Sequence, residues 1–278
     1  MINLIKIELV KLYSSNRTYI TFIIAILLML VINLGLYSDG EELFGFFLQS
    51  INEYFYIEGN VVNGYLIAYL ALNTLWVHIP VLIIIVTAHI FSGEFEMGTI
   101  RLLLTQPISR FNLLFAKIIS LIIYNFCFMF VIAISAIIPS VLLFGKGDVV
   151  VFIDGIQFIQ EVTFLSRFFN TLLFATLAMI AFSSMTMYFS LYFKNTLTAI
   201  LLSLGILIIL TLLQTFVFGI FSSWQPFLFT YHIAKWQLFF VNEIPYHSIL
   251  NSVYYLIGMS LFFMVLSWYK FKKMNISE

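Results

Sequence analysis

Charged residues are scarce in this sequence. Lys and Arg together number 13, Asp and Glu together number 13, and charged residues make up only 9% of the chain. Soluble proteins carry about 25% charged residues, so this chain has too few charges to cover the surface of a soluble domain. The formal net charge of zero gives no overall field that would attract nucleic acid, and no nucleic-acid partner is expected.

Cysteine and the common catalytic patterns are also nearly absent. The one cysteine, Cys127, cannot form a disulfide within the chain and lies in an apolar run, as a small buried hydrophobe does. There is no Gly-x-Ser-x-Gly nucleophile motif. No two histidines have the i, i+4 spacing of a helical metal site: they are His78, His89, His232 and His247. We therefore expect no metal site, no bound cofactor and no catalytic residue in this chain.

A phosphate-binding loop is missing as well. Such a loop needs Gly-x-x-x-x-Gly-Lys followed by Ser or Thr, whereas Gly145-Lys146 is followed by Gly147. The chain is therefore not expected to hydrolyse ATP by itself, and any ATP would be bound by another chain. Asp and Glu are absent from the apolar runs, which argues against a mechanism coupled to protons or ions.

Hydrophobic residues, in contrast, make up 62% of the sequence, and Phe alone occurs 32 times. A helix needs about 20 apolar residues to cross a bilayer, and it satisfies its own backbone hydrogen bonds there. We predict an all-α integral membrane protein that forms a single transmembrane domain over residues 1–278. Pro80 and Pro139 are expected to kink two of the spans. The six predicted spans are 19–36, 65–90, 113–144, 168–193, 196–221 and 249–269.

The distribution of Lys and Arg predicts the orientation of these spans. With the N-terminus inside, the outer segments hold only Lys146, Arg167 and Lys235, and the other Lys and Arg residues lie inside. This predicts a multi-pass protein of the cell (inner, cytoplasmic) membrane with both termini in the cytoplasm. Residues 1–18 are predicted to contain an interfacial helix on the cytoplasmic face, with a solvated tail as the alternative. The aromatic segment 222–248 is predicted to be extracellular, either as short interfacial or re-entrant helices or as an aromatic belt.

The predicted cytoplasmic loop 91–112 is unusually polar for this chain. Thr99 is expected to cap a short amphipathic helix over residues 100–105, Pro107 to end it, and Ser109 to cap the next span. The leucines at 102–104 are expected to face lipid or another protein. An ordinary loop whose arginines serve only the orientation rule is the alternative. The charged residues expected to face water or a partner are Glu94, Glu96, Arg101 and Arg110.

Residues 94–110 follow the pattern Glu-x-x-x-Gly-Thr-x-Arg-x-Leu-Leu-x-x-Pro-x-Ser-Arg, and a lysine follows at position 117. This pattern resembles a hallmark of ABC-2 type permeases, the transmembrane subunits of a class of ATP-binding cassette exporters. The resemblance implies a six-helix ABC-2 (type V exporter-like) fold with an N-terminal interfacial helix and a cytoplasmic coupling helix that docks into an ATPase subunit. The implied ATPase-coupling residues are Glu94, Glu96, Gly98, Thr99, Arg101, Pro107, Ser109, Arg110 and Lys117.

The resemblance also implies partners and a function. The partners would be two copies of an ATPase subunit, which bind ATP and Mg, a second permease copy or a paralogue, and membrane lipid. The complex would export an amphipathic or apolar cargo such as a peptide, lipid or drug. A membrane-embedded enzyme that acts on a lipid, and an ATP-independent membrane scaffold, are the alternatives.

Several polar residues within the predicted spans are candidates for a translocation path. Polar groups are costly in lipid, so they are expected to face the bundle interior or a cavity. Hydrogen bonding between helices is the commoner role of such residues. The candidates are Asn73, His78, Asn125 and Gln214.

Overall fold

The computed structural model describes residues 1–52, 62–153, 155–216 and 222–274. Its helices, in chain order, are α1 (Ile2–Tyr13), α2 (Asn16–Asn52), α3 (Gly64–Leu75), α4 (His78–Thr87), α5 (His89–Glu96), α6 (Thr99–Thr105), α7 (Arg110–Phe144), α8 (Glu161–Phe193), α9 (Thr196–Phe216), α10 (Phe229–Ala234) and α11 (Tyr246–Lys273). Two strands, β1 (Val149–Phe152) and β2 (Ile156–Ile159), lie between α7 and α8, and two 3₁₀ helices, Ser222–Phe227 and Lys235–Phe240, flank α10.

Six helical stretches of the described chain are long and apolar enough to cross a membrane. Large apolar side chains lie exposed on several of them, as expected for helices whose outer faces contact lipid. The chain is thus a mostly helical, multi-pass membrane protein. The last residues of the predicted span 196–221, from 217 onward, lie outside the described residues. The six stretches are Asn16–Ser38, His78–Glu96, Arg110–Phe144, Glu161–Phe193, Thr196–Thr215 and Tyr246–Lys273.

The region predicted as one span at 65–90 is divided into α3, α4 and the start of α5. Its first interruption, at Trp76 and Val77, lies just before Pro80. Proline has no N–H to donate to the carbonyl four residues earlier, and its ring crowds that turn, which explains the interruption. Pro139 lies inside the continuous helix α7, so the two prolines differ in their effect.

The connection between α7 and α8 contains an antiparallel hairpin that the all-α prediction did not include. Val149 pairs with Ile159, and Phe152 pairs with Ile156. Val149, Val151 and Ile159 are buried, so the hairpin packs one face against the protein. Its sequence is rich in β-branched and aromatic residues, which favour strands, but four-residue strands are too short for a clear alternating pattern.

Helix α8 is central to the bundle and packs against α4, α5, α7, α9 and α11. Ala175, Ala178 and Ala181 are buried on it, and such small residues let neighbouring helices approach closely. Lys194, in a left-handed conformation, ends α8, and α9 begins at Thr196. This very short connection is the one that the sequence predicts.

The bundle has two ends that differ in composition. At one end, called the α6 end, α7 begins at Arg110 beside the last turn of α11. At the other, called the hairpin end, the amide of Gly64 donates to the carbonyl of Gly145, so α3 begins where α7 has ended. The hairpin end also carries β1, β2 and the short helices between residues 222 and 240.

Candidate functional site: the α5–α6 segment and its ion cluster

Helix α6 begins at a glycine turn. Gly98 has φ of 68° and ψ of 3° and is the N-cap of α6, with no side-chain cap. A left-handed conformation costs a residue with a Cβ atom more than it costs glycine, so glycine suits this position. The sequence predicted Thr99 as the cap, but its hydroxyl donates to the carbonyl of Glu94 at 3.4 Å instead. The turn therefore ties the start of α6 back to α5.

The surface of α6 is divided into a packed and an exposed side. Ile100 is buried, and Leu103 and Leu104 are half-buried against a cluster that includes Phe91 and Phe271. Arg101 is exposed, and Leu102 is 68% exposed. Of the predicted leucine run, only Leu102 is thus fully available to another protein or to lipid.

The residues that follow α6 complete this surface. Pro107 is exposed, beyond the end of the helix at Thr105. Ser109 caps α7 as predicted, since its hydroxyl oxygen accepts the amide N–H of Asn112 at 3.2 Å. Met97, 64% exposed, adds an apolar side chain just before α6. Exposed Met97, Arg101, Leu102 and Pro107 together form what we call the α6 surface.

Beneath this surface, four charged side chains form a cluster. Lys117 of α7 is buried, and its Nζ donates to Glu8 Oε2 and Glu94 Oε1, each at 2.8 Å, and to the carbonyl of Ile90 at 3.1 Å. Lys11 Nζ lies 2.9 Å from Glu8 Oε1 and 3.2 Å from Glu94 Oε1. The cluster of Glu8, Lys11, Glu94 and Lys117, which we call the ion cluster, joins α1, α5 and α7.

The pKa values of the two α1 residues follow from this geometry. Burial raises the pKa of Glu8, but the ammonium groups of Lys117 and Lys11 outweigh burial and bring it below its usual value. Burial lowers the pKa of Lys11, but its hydrogen bond to Glu8 and the charge of Glu94 outweigh that and raise it. Both residues are therefore charged at neutral pH, as a paired and hydrogen-bonded cluster requires.

The expectation that Glu94 faces water or a partner is wrong. Its side chain is 8% exposed, and that of Lys117 is 1% exposed, because each neutralises the other inside the bundle. Glu94 Oε2 has no hydrogen-bond partner among the described residues. The carboxylate therefore keeps one unused acceptor, which is uncommon for a buried polar atom.

Glu96 joins α5 to the start of α9. Its Oε1 accepts the amide N–H of Thr196 at 2.7 Å, and its Oε2 accepts the Thr196 hydroxyl at 2.9 Å. A carboxylate is stabilised at a helix N-terminus by the helix dipole. Ser190 of α8 accepts the amide N–H groups of Phe91 and Ser92, so α5 is also bound to α8.

Arg110 was expected to face water or a partner, but it lies against the end of α11 instead. Its Nη1 donates to the carbonyls of Phe271, Lys272 and Met274 at 3.2, 2.9 and 2.6 Å. The last carbonyls of a helix lack partners within the helix, and a cation there also complements the helix dipole. Arg110 thus fixes the end of α11 against the start of α7.

Most of the chain matches one known protein family. Residues 22–277 match the family described as "Protein of unknown function (DUF2705)". The chain belongs to the DUF2705 family. It is also similar to the "Uncharacterized protein YhcI" of Bacillus subtilis (strain 168), with 23% identity over 188 residues, or 66% of this chain and 58% of YhcI. The aligned part thus spans less than two thirds of that relative's length.

The candidate path residues of this DUF2705 protein do not form one group. Asn125 is buried and bridges helices: it donates to the carbonyl of Leu121 at 2.8 Å and accepts from Ser183 of α8 at 3.0 Å. Asn73 is exposed and accepts from Gln237 at 2.8 Å. His78 is exposed, and Gln214 is half-buried on α9. Asn125 therefore has the role of hydrogen bonding between helices. Within the described chain, no hydrogen bond links any two of the four candidate residues.

Sequence reasoning missed Glu8 and Lys11 as members of the ion cluster of this DUF2705 protein. Two signals in the sequence could have indicated the cluster: Glu8 and Lys11 are three residues apart, and Lys117 is an isolated charge in an apolar run. Such isolated charges usually have a buried partner. In the described part of the chain, no group of three or more His, Cys, Asp or Glu side chains is placed to hold a metal ion.

Proposed function

We propose that this DUF2705 protein is the permease subunit of an ATP-driven exporter of the ABC-2 type. It would couple ATP hydrolysis by a separate ATPase subunit to the movement of an amphipathic or apolar cargo across or out of the membrane. The observation that carries this proposal is the exposed α6 surface at one end of the bundle, built on segment 94–110, whose sequence resembles the coupling motif of that class. The ATP and Mg would lie in the ATPase subunit.

The connections below α6 support a coupling role. Helix α6 follows α5 through the Gly98 turn, and α5 is held to α1 and α7 by the ion cluster. Glu96 holds α5 to α9, and Ser190 holds it to α8. Charge-assisted hydrogen bonds are strong, and packed interiors transmit displacement. A push on α6 by a docked subunit would thus pass through α5 to four further helices.

The implied coupling residues divide into two groups on this proposal. Exposed Gly98, Arg101 and Pro107 would touch the ATPase subunit directly. Glu94 and Lys117 would transmit its motion through the ion cluster without touching it. The α6 end would then face the cytoplasm, with both termini there, in a pair formed with a second permease copy or a paralogue.

Co-purification of the tagged chain from native membranes in mild detergent tests the proposal. The intact chain should bring down an ATPase subunit with measurable ATPase activity. The double variant Arg101→Glu, Leu102→Asp alters only exposed side chains of α6, so it should keep its unfolding temperature but retain about ten-fold less ATPase subunit. Val162→Asp is the matched control, because Val162 is 90% exposed at the hairpin end.

Two results would contradict the proposal. The first is the absence of any ATPase subunit from a preparation of folded, intact chain. The second is equal retention of the ATPase subunit by the α6 double variant and by the intact chain. Equal loss in the Val162→Asp control would show that the α6 surface has no special role, which also contradicts it.

A further inference from the structure

A cavity of about 290 Å³ lies between the end of α1, the first turn of α2 and helix α5. Its lining includes Lys11, Ser15, Arg17, His89 and Glu94. Pockets for drug-sized ligands are roughly 300–1,000 Å³, so this cavity suits a small polar group. Its location beside the ion cluster gives it both acidic and basic walls.

One wall offers an unused acceptor. The Glu94 side chain is 8% exposed, and its Oε1 already accepts from Lys11 and Lys117. Its Oε2 has no hydrogen-bond partner in the described chain. Oε2 is itself buried, but Glu94 lines the cavity, and rotation about the soft terminal torsion of the glutamate would turn Oε2 toward it. A positively charged N–H donor would satisfy it.

Arg17 and the first turn of α2, which also line the cavity, offer unused donors. The Arg17 guanidinium is half-buried and has no hydrogen bond or salt bridge with any described residue. The amide N–H groups of Asn16 and Arg17, in the first turn of α2, also donate to no described group. Such N–H groups and the positive end of the helix dipole favour an anion. Glu96, a nearby carboxylate, has both its oxygens bound by Thr196.

We propose that this cavity binds the zwitterionic headgroup of an aminophospholipid. Its primary ammonium would donate to Glu94 Oε2, and its phosphodiester would accept from Arg17 and the first turn of α2. A phosphocholine headgroup has no N–H to donate, and a phosphoglycerol headgroup has no cation. The two unpaired groups of the cavity therefore favour an aminophospholipid, of which phosphatidylethanolamine is the simplest, over phosphatidylcholine and phosphatidylglycerol.

The surroundings of the cavity favour a lipid over a soluble phosphodiester. Helix α1 exposes Ile2 (71%), Val10 (67%) and Ile7 (51%) beside exposed Lys6, a composition typical of a helix in the membrane interface. Helix α2 then enters the membrane as the first apolar stretch, from Asn16. The junction of the two helices would then lie at headgroup depth. This proposal does not depend on coupling to an ATPase.

The test uses the full chain in nanodiscs of phosphatidylcholine that contain a minor fraction of phosphatidylethanolamine or phosphatidylglycerol. Native mass spectrometry counts the phospholipids that each released protein retains. We expect about ten-fold preferential retention of phosphatidylethanolamine, and about ten-fold less retention by Arg17→Gln. Glu94→Gln should also weaken retention, and Lys6→Gln, which changes an exposed cation of α1 outside the cavity lining, should not.

Glu94→Gln could disturb folding through the ion cluster, whereas Arg17 makes no salt bridge among the described residues. The Arg17→Gln result is therefore decisive even if the Glu94→Gln variant does not fold. Equal retention of the three lipids overturns the proposal, as does unchanged retention by Arg17→Gln. Preference for phosphatidylglycerol would indicate a site for anions alone and overturns the zwitterion assignment. Full competition by an equal concentration of soluble glycerophosphoethanolamine, which lacks acyl chains, would overturn the lipid assignment in favour of a soluble ligand.

Discussion

A buried ion cluster joins helices at the α6 end of the bundle, in addition to neutral hydrogen bonds and apolar packing, whereas the hairpin end is joined by neutral hydrogen bonds and close backbone contacts. Each end has one arginine that donates to three main-chain carbonyls. Arg110 holds the end of α11 at the α6 end. Arg167 holds the end of the second 3₁₀ helix and the two residues after it at the hairpin end, through the carbonyls of Phe239, Val241 and Asn242. Beyond this shared device, the two ends differ in construction.

The hairpin end is built by close approach. The Asn63 side chain accepts the amide N–H groups of Tyr65 and Leu66 at 3.1 Å and donates to the carbonyl of Asp148 at 2.6 Å. A Cβ atom on Gly64 would lie 2.5 Å from the carbonyl oxygen of Ser140. Helix α3 thus lies against α7 with no space between their backbones.

This difference indicates which end can move. Close backbone contact at Gly64 leaves α3 and α7 no room to slide past each other. The α6 end is joined mainly through side chains, namely the ion cluster, Glu96, Ser190 and the apolar cluster around Phe91, and side-chain contacts can be exchanged without repacking a backbone interface. The mobile, partner-facing role proposed for α6 therefore fits the charged end, and a static role fits the hairpin end.

The largest expected effect is a loss of stability when the ion cluster is broken, compared with the loss when one neutral hydrogen bond is broken. Lys117→Met leaves Glu8 and Glu94 buried with only the exposed Lys11 to neutralise them. Removing one partner of a buried ion pair costs about 3–5 kcal/mol. Ser140→Ala, which breaks the buried neutral hydrogen bond to Asn33 at the hairpin end, should cost about 1 kcal/mol. Reversible unfolding in mixed micelles measures both free energies.

A triple variant sharpens this test. Lys117→Met combined with Glu8→Gln and Glu94→Gln removes the uncompensated charges, so it should recover part of the stability lost by Lys117→Met alone. If Lys117→Met costs no more free energy than Ser140→Ala, the α6 end is not held by its charges, and the comparison between the ends fails.

A smaller loss of stability is expected when either of two glycines, one at each end, is replaced by alanine. Gly64→Ala at the hairpin end would press a Cβ atom against backbone at 2.5–2.6 Å and should cost about 1–3 kcal/mol. Gly98 at the α6 end has φ of 68° and no atom near its missing Cβ, so Gly98→Ala should cost only about 1–2 kcal/mol of local strain. Thermal unfolding of the purified variants measures the difference.

Gly98→Asn is the matched control for this pair, because Asn tolerates the left-handed conformation better than Ala does. It should therefore lie between the intact chain and Gly98→Ala in unfolding temperature. A Gly64→Ala variant as stable as the intact chain would show that α3 and α7 are not in rigid contact, which removes the static character assigned to the hairpin end.

The broad architecture was predictable because hydropathy over about 20 residues is a strong signal. The described part of the chain contains six helical stretches long and apolar enough to cross a membrane. The Ser109 cap and the short turn at Lys194 follow local rules that act within a few residues. The site was only partly predictable. The α6 surface follows from nearby sequence, but the partners of Lys117 lie on α1 and α5, so they depend on how distant helices pack.

Two further differences between the sequence-based predictions and the structure also arise from contacts between distant segments. Arg110 was expected to face water because a loop arginine usually does, but the carbonyls that it meets belong to residues more than 160 positions away. The hairpin at 149–159 was missed because two four-residue strands have too little periodicity. Contacts between segments far apart in sequence are set by tertiary packing and leave no local pattern.

The smallest effect is the response of each end to pH. Glu8 at the α6 end has a pKa below its usual 4.5, so the stability it contributes is present above pH 4.5 and is lost as pH falls through the lowered pKa. His232 at the hairpin end has a pKa below its usual 6.5, chiefly because it is buried. Its contribution is present above pH 6.5 and is lost as pH falls through that lowered pKa, so the hairpin end should respond first.

Unfolding temperature measured across acid pH in one detergent separates these two steps. His232→Asn should flatten the decline that begins below pH 6.5, and Glu8→Gln should flatten the one below pH 4.5. Glu8→Gln also lowers stability at neutral pH, since it removes a charged partner of Lys117, so the comparison rests on the slope and not on the absolute temperature. Among the described residues, the salt bridges that join α1 to α5 and α7 all belong to the ion cluster. A pH slope below 4.5 unchanged by Glu8→Gln would therefore mean that the acid response of the α6 end arises elsewhere.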